Sequence, residues 1–134
     1  MRRNIAGSSV YEPLVGYSRA VRVGLHVHVA GTTAAQDGVP MHPGDAAAQT
    51  RAALSIIAGA LQQAGAELRH VVRTRLYVTD IAQWEVIGRA HGEVFGAIRP
   101  ACTMVQVAAL IDPAHLVEIE ADAYIWDDSE SLGG

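Results

Sequence analysis

The chain has 134 residues, of which 50% are hydrophobic and only 18% are charged. This composition is too apolar for a disordered chain and is typical of one compact α/β or α+β domain. The formal net charge is −4, and all ten basic residues are arginines. Proteins that bind nucleic acids neutralise many phosphates with clustered Lys or Arg, so this charge balance argues against a nucleic-acid partner. The absence of lysine also excludes a Schiff-base mechanism.

No part of the sequence indicates a membrane or secreted protein. The two N-terminal arginines are not followed by the apolar run of a secretory signal, and no segment approaches the roughly 20 apolar residues of a membrane span. The single cysteine excludes an internal disulfide and fits a reducing compartment. We therefore expect a cytoplasmic protein with one domain over residues 1–134, whose ends, at about residues 1–10 and 127–134, are flexible.

The N-terminal half predicts two strands followed by a long helix. Residues 19–33 read as a pair of strands around Gly24, because apolar and more polar residues alternate in the second of them. Asp45 is a good N-cap for a helix that Gly65 would end. The residues with helical spacing expected on its inner face are Leu54, Ile57, Ala58 and Leu61.

The C-terminal half predicts a strand, a second helix and two more strands. Residues 70–79 form the first strand, and Asp80 caps the helix with Gln83 in the capping-box position. The residues expected on the inward face of this helix are Trp84, Ile87, His91, Val94 and Phe95. The last two strands span residues 101–110 and 116–125.

The element order is therefore β-β-α-β-α-β-β, a mixed sheet of the α+β class with two helices on one face. Successive side chains of a strand point to opposite faces of the sheet, and these strands carry apolar residues on both faces. Because two helices cover only one face of such a sheet, we expect another subunit to cover the second face.

Two carboxylates separated by one residue, Glu118 and Glu120, lie on the last strand. Alternation places them on one face, opposite the apolar Val117, Ile119 and Ala121. A pair of carboxylates on an otherwise apolar strand predicts a functional site rather than a packing role.

Short motifs along residues 16–123 together resemble the RidA/YjgF family of reactive-intermediate deaminases. Each motif is weak alone, but their order and spacing make the resemblance specific. They are Gly16-Tyr17-Ser18, Ala30-Gly31-Thr32, Val72-Arg73-Thr74, Tyr77-Val78-Thr79-Asp80, Phe95, Pro100-Ala101 and Glu118-Ile119-Glu120-Ala121.

The resemblance implies a chorismate-mutase-like fold and a homotrimer, in which three sheets form a central barrel and small-molecule ligands bind in clefts between subunits. It implies hydrolysis of enamines and imines, such as 2-aminoacrylate, to a keto acid and ammonia, with no metal or organic cofactor. Tyr17 and His91 would line the pocket, and Glu120 would position or activate water. The backbone near Gly31 and Thr32 would hydrogen-bond to the ligand.

The chain departs from the family pattern at the residue that would bind the substrate carboxylate. Deaminases of the family have Pro-Ala-Arg-Ser where this chain has Pro100-Ala101-Cys102-Thr103. Cys102 replaces an arginine whose planar fork suits a carboxylate, and losing such a buried contact costs about 2–5 kcal/mol. We expect Cys102 and Thr103 to line the cleft, and the substrate to differ from 2-iminopropionate and other small 2-imino acids.

On the residues alone, Glu120 is better explained as a solvated carboxylate, or as one paired with an arginine of a neighbouring subunit, than as a catalytic group. Its position in the family pattern favours the water-handling role. Glu118 and Asp122 share its face of the strand, and we expect both to be structural or solvent-facing.

Other interpretations also remain. Cys102 is more typical of a small pocket residue than of a nucleophile, which needs a basic partner. His26 and His28 have a spacing that a metal could use, but no third ligand lies nearby in sequence, so no metal site is predicted. The trimer could instead be a non-catalytic small-molecule sensor or interaction module. An RNA-cleaving role, a label attached to the family, is disfavoured by the charge.

Overall fold

The computed structural model describes residues 1–126, which form a six-stranded sheet, a two-stranded hairpin and two helices. The strands are β1 (Arg2–Ile5), β2 (Ala20–Val23), β3 (His26–Thr32), β4 (Ala35–Gln36), β5 (Val39–Pro40), β6 (Val71–Val78), β7 (Ala101–Gln106) and β8 (Val117–Tyr124). The helices are α1 (Ala46–Gln63) and α2 (Trp84–Phe95). The sheet order is β1-β2-β3-β8-β6-β7, with β6 and β7 parallel and the other neighbours antiparallel. The predicted α+β class, mixed sheet and two helices are confirmed.

Side-chain alternation gives the two central strands, β6 and β8, two different faces. The face under the helices is buried and consists of Thr74, Leu76, Val78, Val117, Ile119, Ala121 and Ala123. The opposite face, which we call the open face, carries Arg73, Arg75, Tyr77, Glu118, Glu120, Asp122 and Tyr124. The prediction of apolar residues on both faces is therefore wrong for β6 and β8, because every second residue on them is charged or a tyrosine.

Helix α1 begins and ends as predicted. The carboxylate of Asp45 accepts a hydrogen bond from the backbone N–H of Ala48, at 3.0 Å, and so satisfies a donor of the first turn. After Ala64 the chain leaves the helix at Gly65, whose φ of +86° favours glycine. Of the predicted inner face, Leu54, Ile57 and Leu61 are buried, whereas Ala58 is only partly buried.

Helix α2 begins later than predicted. Asp80 accepts a hydrogen bond from the N–H of Ala82 and caps a 3₁₀ turn, Ile81–Gln83, that precedes the helix. Ile87 and Phe95 are buried as predicted. Trp84 is 59% exposed, because it lies in the first turn, before the buried part of the helix begins. The expectation that it faces inward is wrong.

The N-terminal end is more ordered than predicted, since β1 pairs with β2 along all four of its residues and Ile5 enters the core. The strand predicted over residues 101–110 ends at Gln106. The predicted flexible tail, residues 127–134, lies outside the described residues. Within residues 1–126 no helix is both long and apolar enough to cross a membrane.

Candidate functional site

A cavity of about 290 Å³ lies where the end of β3 meets α1. Its walls come from the N-terminal segment at residues 5–11, from Tyr17 and Arg19, from the end of β3 and the following loop, from the second half of α1, and from the segment leading into β8. The cavity therefore combines polar groups of the sheet with apolar side chains of the helix and loops.

The absence of a side chain at Gly31 lets the carboxyl group of Glu118 pack against the backbone in the wall of the cavity. The pairing of β3 with β8 is irregular between Val29 and Thr32, so Gly31 lies in a break of the ladder. A Cβ on Gly31 would lie 2.8 Å from Oε2 and 2.9 Å from Cδ of Glu118. Only glycine leaves room for the Glu118 carboxyl group in this position.

The carboxyl group of Glu118 is partly buried in the wall of the cavity. Burial raises the pKa of its carboxyl above the ordinary range and the charge of Glu120 adds to the increase, whereas the charge of Arg19 opposes it. A carboxyl group with a raised pKa exchanges its proton closer to neutral pH, which suits general acid–base chemistry.

Arg19 is held in the same cavity by three neighbours. Its Nη2 donates a hydrogen bond to the carbonyl oxygen of Gly31 at 2.5 Å, and its guanidinium carbon lies 5.8 Å from the centre of the Tyr17 ring. A Cβ on Gly7 would lie 3.1 Å from the Cβ of Arg19, so the loop packs on the arginine stem. Its Nε is buried and has no hydrogen-bond partner among the described residues.

The N-terminal loop is fixed to the cavity by a buried carboxylate. Glu12 accepts hydrogen bonds from the backbone N–H groups of Gly7, at 2.9 Å, and Ser9, at 3.3 Å. The hydroxyl of Tyr17 donates to Ser9 Oγ at 3.3 Å. Tyr17 is thus both a wall of the cavity and a contact to the loop that encloses it.

His115 contributes a neutral imidazole to the cavity. It is buried, its Nδ1 has no partner within residues 1–126, and burial lowers its pKa, with the nearby charge of Asp112 acting in the opposite direction. Sequence reasoning missed His115 and Arg19, because neither lies in a motif that distinguishes it from the other histidines and arginines.

Glu120 lies on the open face in a network of polar side chains. The hydroxyl of Tyr77 donates a hydrogen bond to Glu120 Oε1 at 2.5 Å, and this bond is the main cause of the raised pKa of Tyr77. Nη1 of Arg75 lies 3.6 Å from the same oxygen and 3.1 Å from Asp122 Oδ2, while Asp122 Oδ1 lies 2.8 Å from Nδ1 of His28. A shallow groove bordered by Tyr17 separates Glu120 from the N-terminal strands.

The structure brings some of the predicted site residues together within one chain. Tyr17, Gly31 and Thr32 all line the cavity, and Tyr17 also borders the groove that contains Glu120. The carboxylate of β8 that shares the cavity with them is Glu118, for which the sequence predicts a structural or solvent-facing role.

The other predicted site residues lie elsewhere in the chain. Thr103 is on the open face of β7, two strand spacings from Glu120, or about 10 Å. Cys102 is exposed and points to the helix side of the sheet, in register with Thr74. His91 is on the same side, where its Nε2 lies 2.9 Å from Thr74 Oγ1 and burial lowers its pKa.

The histidines considered as metal ligands have other contacts. His28 pairs with Asp122, and the His26 ring packs edge-on against Tyr124, with ring centres 5.1 Å apart. Within residues 1–126 no three His, Cys, Asp or Glu side chains are grouped as a metal site.

Comparisons with known proteins agree with this fold. The family model described as Endoribonuclease L-PSP matches residues 8–125. The 3-aminoacrylate deaminase RutC of Acinetobacter baylyi is 35% identical over 114 residues, which cover 84% of this chain and 90% of that protein. The uncharacterized protein SCO2049 of Streptomyces coelicolor is 35% identical over 122 residues, 91% of each chain.

A crystal structure of Rv2704 from Mycobacterium tuberculosis, described as a member of the YjgF/YER057c/UK114 family, has the same fold. It is 55% identical, has a TM-score of 0.85, and the match covers 93% of this chain and all of that one. The sequence match over nearly the whole length and the shared fold together identify this chain as a member of the RidA/YjgF family, the family also described as Endoribonuclease L-PSP.

Proposed function

We propose that this protein hydrolyses a small enamine or imine and releases ammonia, with Glu118 as the proton-transfer group. The observation that carries the proposal is the partly buried carboxyl of Glu118, with its raised pKa, beside Gly31 and Tyr17 in the cavity. The 35% identity to a protein named 3-aminoacrylate deaminase supports the same class of reaction.

The proposed reaction needs a group that donates a proton and a group that accepts one. A single carboxyl group can do both. Protonated Glu118 gives its proton to the enamine carbon, which converts the C=C–N group into an iminium ion. A water molecule then adds to the iminium carbon and returns a proton to the Glu118 carboxylate. In the resulting carbinolamine the nitrogen takes a proton from the Glu118 carboxyl group, the C–N bond breaks to release ammonia, and the hydroxyl proton returns to Glu118 as the carbonyl forms. One water is consumed, one ammonia is released, and no electrons are exchanged.

The resemblance assigns the water-handling role to Glu120, but its contacts favour Glu118. Glu120 Oε1 is held by Tyr77 and lies near Arg75, outside the cavity. We propose that Glu120 maintains the polar network of the open face.

We further propose that the protein works as a homotrimer with clefts between subunits. Support comes from β7, an edge strand of the sheet on which Cys102 and Thr103 are exposed and so available for contact with a neighbouring subunit. We expect light scattering to give a mass near three times that of the 14.2 kDa chain. A mass near that of one chain would contradict the trimer.

Turnover by this protein is measured with imines that a second enzyme generates in the assay mixture, because free imines hydrolyse spontaneously in water. A serine dehydratase supplies 2-aminoacrylate, and an L-amino-acid oxidase acting on leucine supplies a longer branched 2-imino acid. We expect this protein to accelerate keto-acid release, with the larger effect on the branched substrate. Saturable binding of the keto acids with no acceleration of any imine would instead identify a non-catalytic binding protein.

The residue at position 102 gives a gain-of-function prediction. Cys102 is exposed on an edge strand, so an arginine can be accommodated there. We expect Cys102→Arg to raise turnover of 2-aminoacrylate about thirty-fold, which corresponds to about 2 kcal/mol for a charge-assisted contact. Cys102→Ser removes the thiol without adding charge and is the control. Equal rates for the two variants would contradict the prediction.

A further inference from the structure

We propose that residues 6–16 form a lid over one side of the cavity, and that the carboxyl group of Glu12 is the latch that holds this lid closed. Residues 6–11 of the lid are part of the cavity wall, so opening the lid would remove one side of the cavity. The inference concerns the motion of this segment and goes beyond the proposed reaction, because it holds whether or not the cavity hydrolyses imines.

The two ends of the lid are held close together. Ile5, which precedes the lid, pairs with Ala20 in the ladder of β1 with β2. The chain therefore leaves the sheet and returns to it at one place, as in an Ω-loop. Gly7 and Gly16 lie near the two ends, and small loop residues often absorb the backbone changes of a hinge. The lid can therefore move without breaking the pairing of β1 with β2.

A polar contact, and not apolar packing, holds the lid closed. Glu12 is the only buried residue among residues 6–16. The apolar side chains of Val10, Leu14 and Val15 are largely exposed, so opening the lid would uncover little apolar surface. Segments with few buried apolar contacts open at a lower free energy than the whole domain does.

The latch consists of two hydrogen bonds that end on one carboxyl group. Oε1 of Glu12 accepts from the backbone N–H of Gly7 at 2.9 Å, and Oε2 accepts from that of Ser9 at 3.3 Å. A Cβ on Gly7 would lie 2.6 Å from Oε2, so the backbone of the lid approaches the carboxyl group closely. The hydroxyl of Tyr17 donates to Ser9 Oγ at 3.3 Å and is a further contact. Loss of the carboxyl group would remove both of the backbone contacts.

The closed lid leaves one polar group of Arg19 without a partner. A Cβ on Gly7 would lie 3.1 Å from Cβ and 3.2 Å from Cδ of Arg19, so the lid packs directly on the arginine stem. The Nε–H of Arg19 is buried there and has no hydrogen-bond partner among residues 1–126. A buried donor without an acceptor loses its hydration, and opening the lid would return this group to water. The unpartnered donor therefore reduces the free-energy difference between the closed and the open lid.

Hydrogen exchange tests the latch without any substrate. NMR spectroscopy measures exchange of the Gly7 and Ser9 amides in the unmodified protein and in Glu12→Gln, whose side-chain NH₂ group faces one of the two backbone donors instead of accepting from it. In the unmodified protein both amides should exchange about 100-fold faster than the amides of β3, because they need only the lid to open. Glu12→Gln should speed the exchange of both by about tenfold or more.

Asp45→Asn is the matched control. Asp45 also accepts a hydrogen bond from a backbone N–H, that of Ala48 at 3.0 Å, but at the start of α1. The control should leave the exchange of Gly7 and Ser9 unchanged.

Modification of arginines by phenylglyoxal tests whether the segment covers Arg19. Peptide mass mapping compares Arg19 with Arg89, whose side chain is 79% exposed. In the unmodified protein Arg19 should react about tenfold more slowly than Arg89, or more slowly still, because the lid packs on its stem. Glu12→Gln should remove most of that difference.

Three results would each overturn the inference. Equal exchange of Gly7, Ser9 and the β3 amides in the unmodified protein would show that the segment opens only when the domain unfolds, whether or not any variant folds. Unchanged exchange in a folded Glu12→Gln protein would show that Glu12 is not the latch. Faster exchange with no change at Arg19 would show that the segment moves without acting as a lid. None of these measurements uses turnover, so a failure of the proposed hydrolysis would leave their outcome unchanged.

Discussion

Glu118→Gln is expected to lower kcat for imine hydrolysis by about 10²–10⁴-fold, because it removes the carboxyl group that transfers protons in the cavity. The amide keeps the size of the side chain and so preserves the contact with Gly31. Steady-state rates with the leucine-derived imine measure the effect. Glu120→Gln is the matched comparison, because it removes the other carboxylate of the same strand face. A larger loss in Glu120→Gln than in Glu118→Gln would assign the role to Glu120.

The same substitution is expected to stabilise the protein at neutral and alkaline pH. Burial raises the pKa of Glu118 in the folded state, so the stability this group contributes is fully present below its unfolded-state pKa and is lost as the pH rises through the higher folded-state value. Glutamine carries no charge at any pH. Chemical unfolding should show Glu118→Gln to be more stable than the unmodified protein at about pH 8 and nearly equal to it at about pH 4. A Glu118→Gln variant that is less stable than the unmodified protein at about pH 8 would contradict a partly buried environment that disfavours the charged carboxylate.

Gly31→Ala is expected to reduce activity about 100-fold while leaving the protein folded. The new methyl group would lie 2.8 to 3.2 Å from three atoms of Glu118, including Cγ, so the whole carboxyl group must move and not only its tip. A displacement of about 1 Å of a reacting group costs about that factor. Rates of imine hydrolysis, together with a melting curve, measure the two effects separately.

Gly88→Ala controls for the added methyl group. Gly88 lies within α2, and a Cβ there meets no atom within 4 Å. Alanine should therefore stabilise the helix by about 0.5–1 kcal/mol and leave the rate unchanged. If Gly31→Ala has full activity, the contact between Gly31 and Glu118 is not required for the reaction.

The element order was largely predictable because it depends on local patterns. Several predicted features depend only on residues that are close together in sequence, and these features agree with the structure. They are the alternation in β3 and β8, the N-cap at Asp45 and the end of α1 at Gly65. The exceptions have local causes too. Trp84 has the spacing of an inward residue, but the 3₁₀ turn after Asp80 places it at the exposed start of α2.

The site was only partly predictable. Tyr17, Gly31 and Thr32, which the motifs assign to one site, line one cavity, because they flank two adjacent strands. The motifs do not distinguish Glu118 from Glu120, because side chains two residues apart on a strand lie on the same face of the sheet. The choice depends on the irregular pairing of β3 with β8 near Gly31, where Glu118 meets the cavity, and on Tyr77 of a different strand, which holds Glu120.

The sequence by itself determined the family, the α+β class and the missing arginine at position 102, since these are properties of residue order. Only the tertiary structure shows that Arg19 and Glu118, and not Glu120, line the cavity with Tyr17, Gly31 and Thr32. The physical reason is that burial and the absence of a partner arise from segments far apart in the chain: the N-terminal loop, the end of β3, α1 and the start of β8. These segments meet only when the protein folds, and the raised pKa of Glu118 and the free Nε–H of Arg19 exist only where they meet.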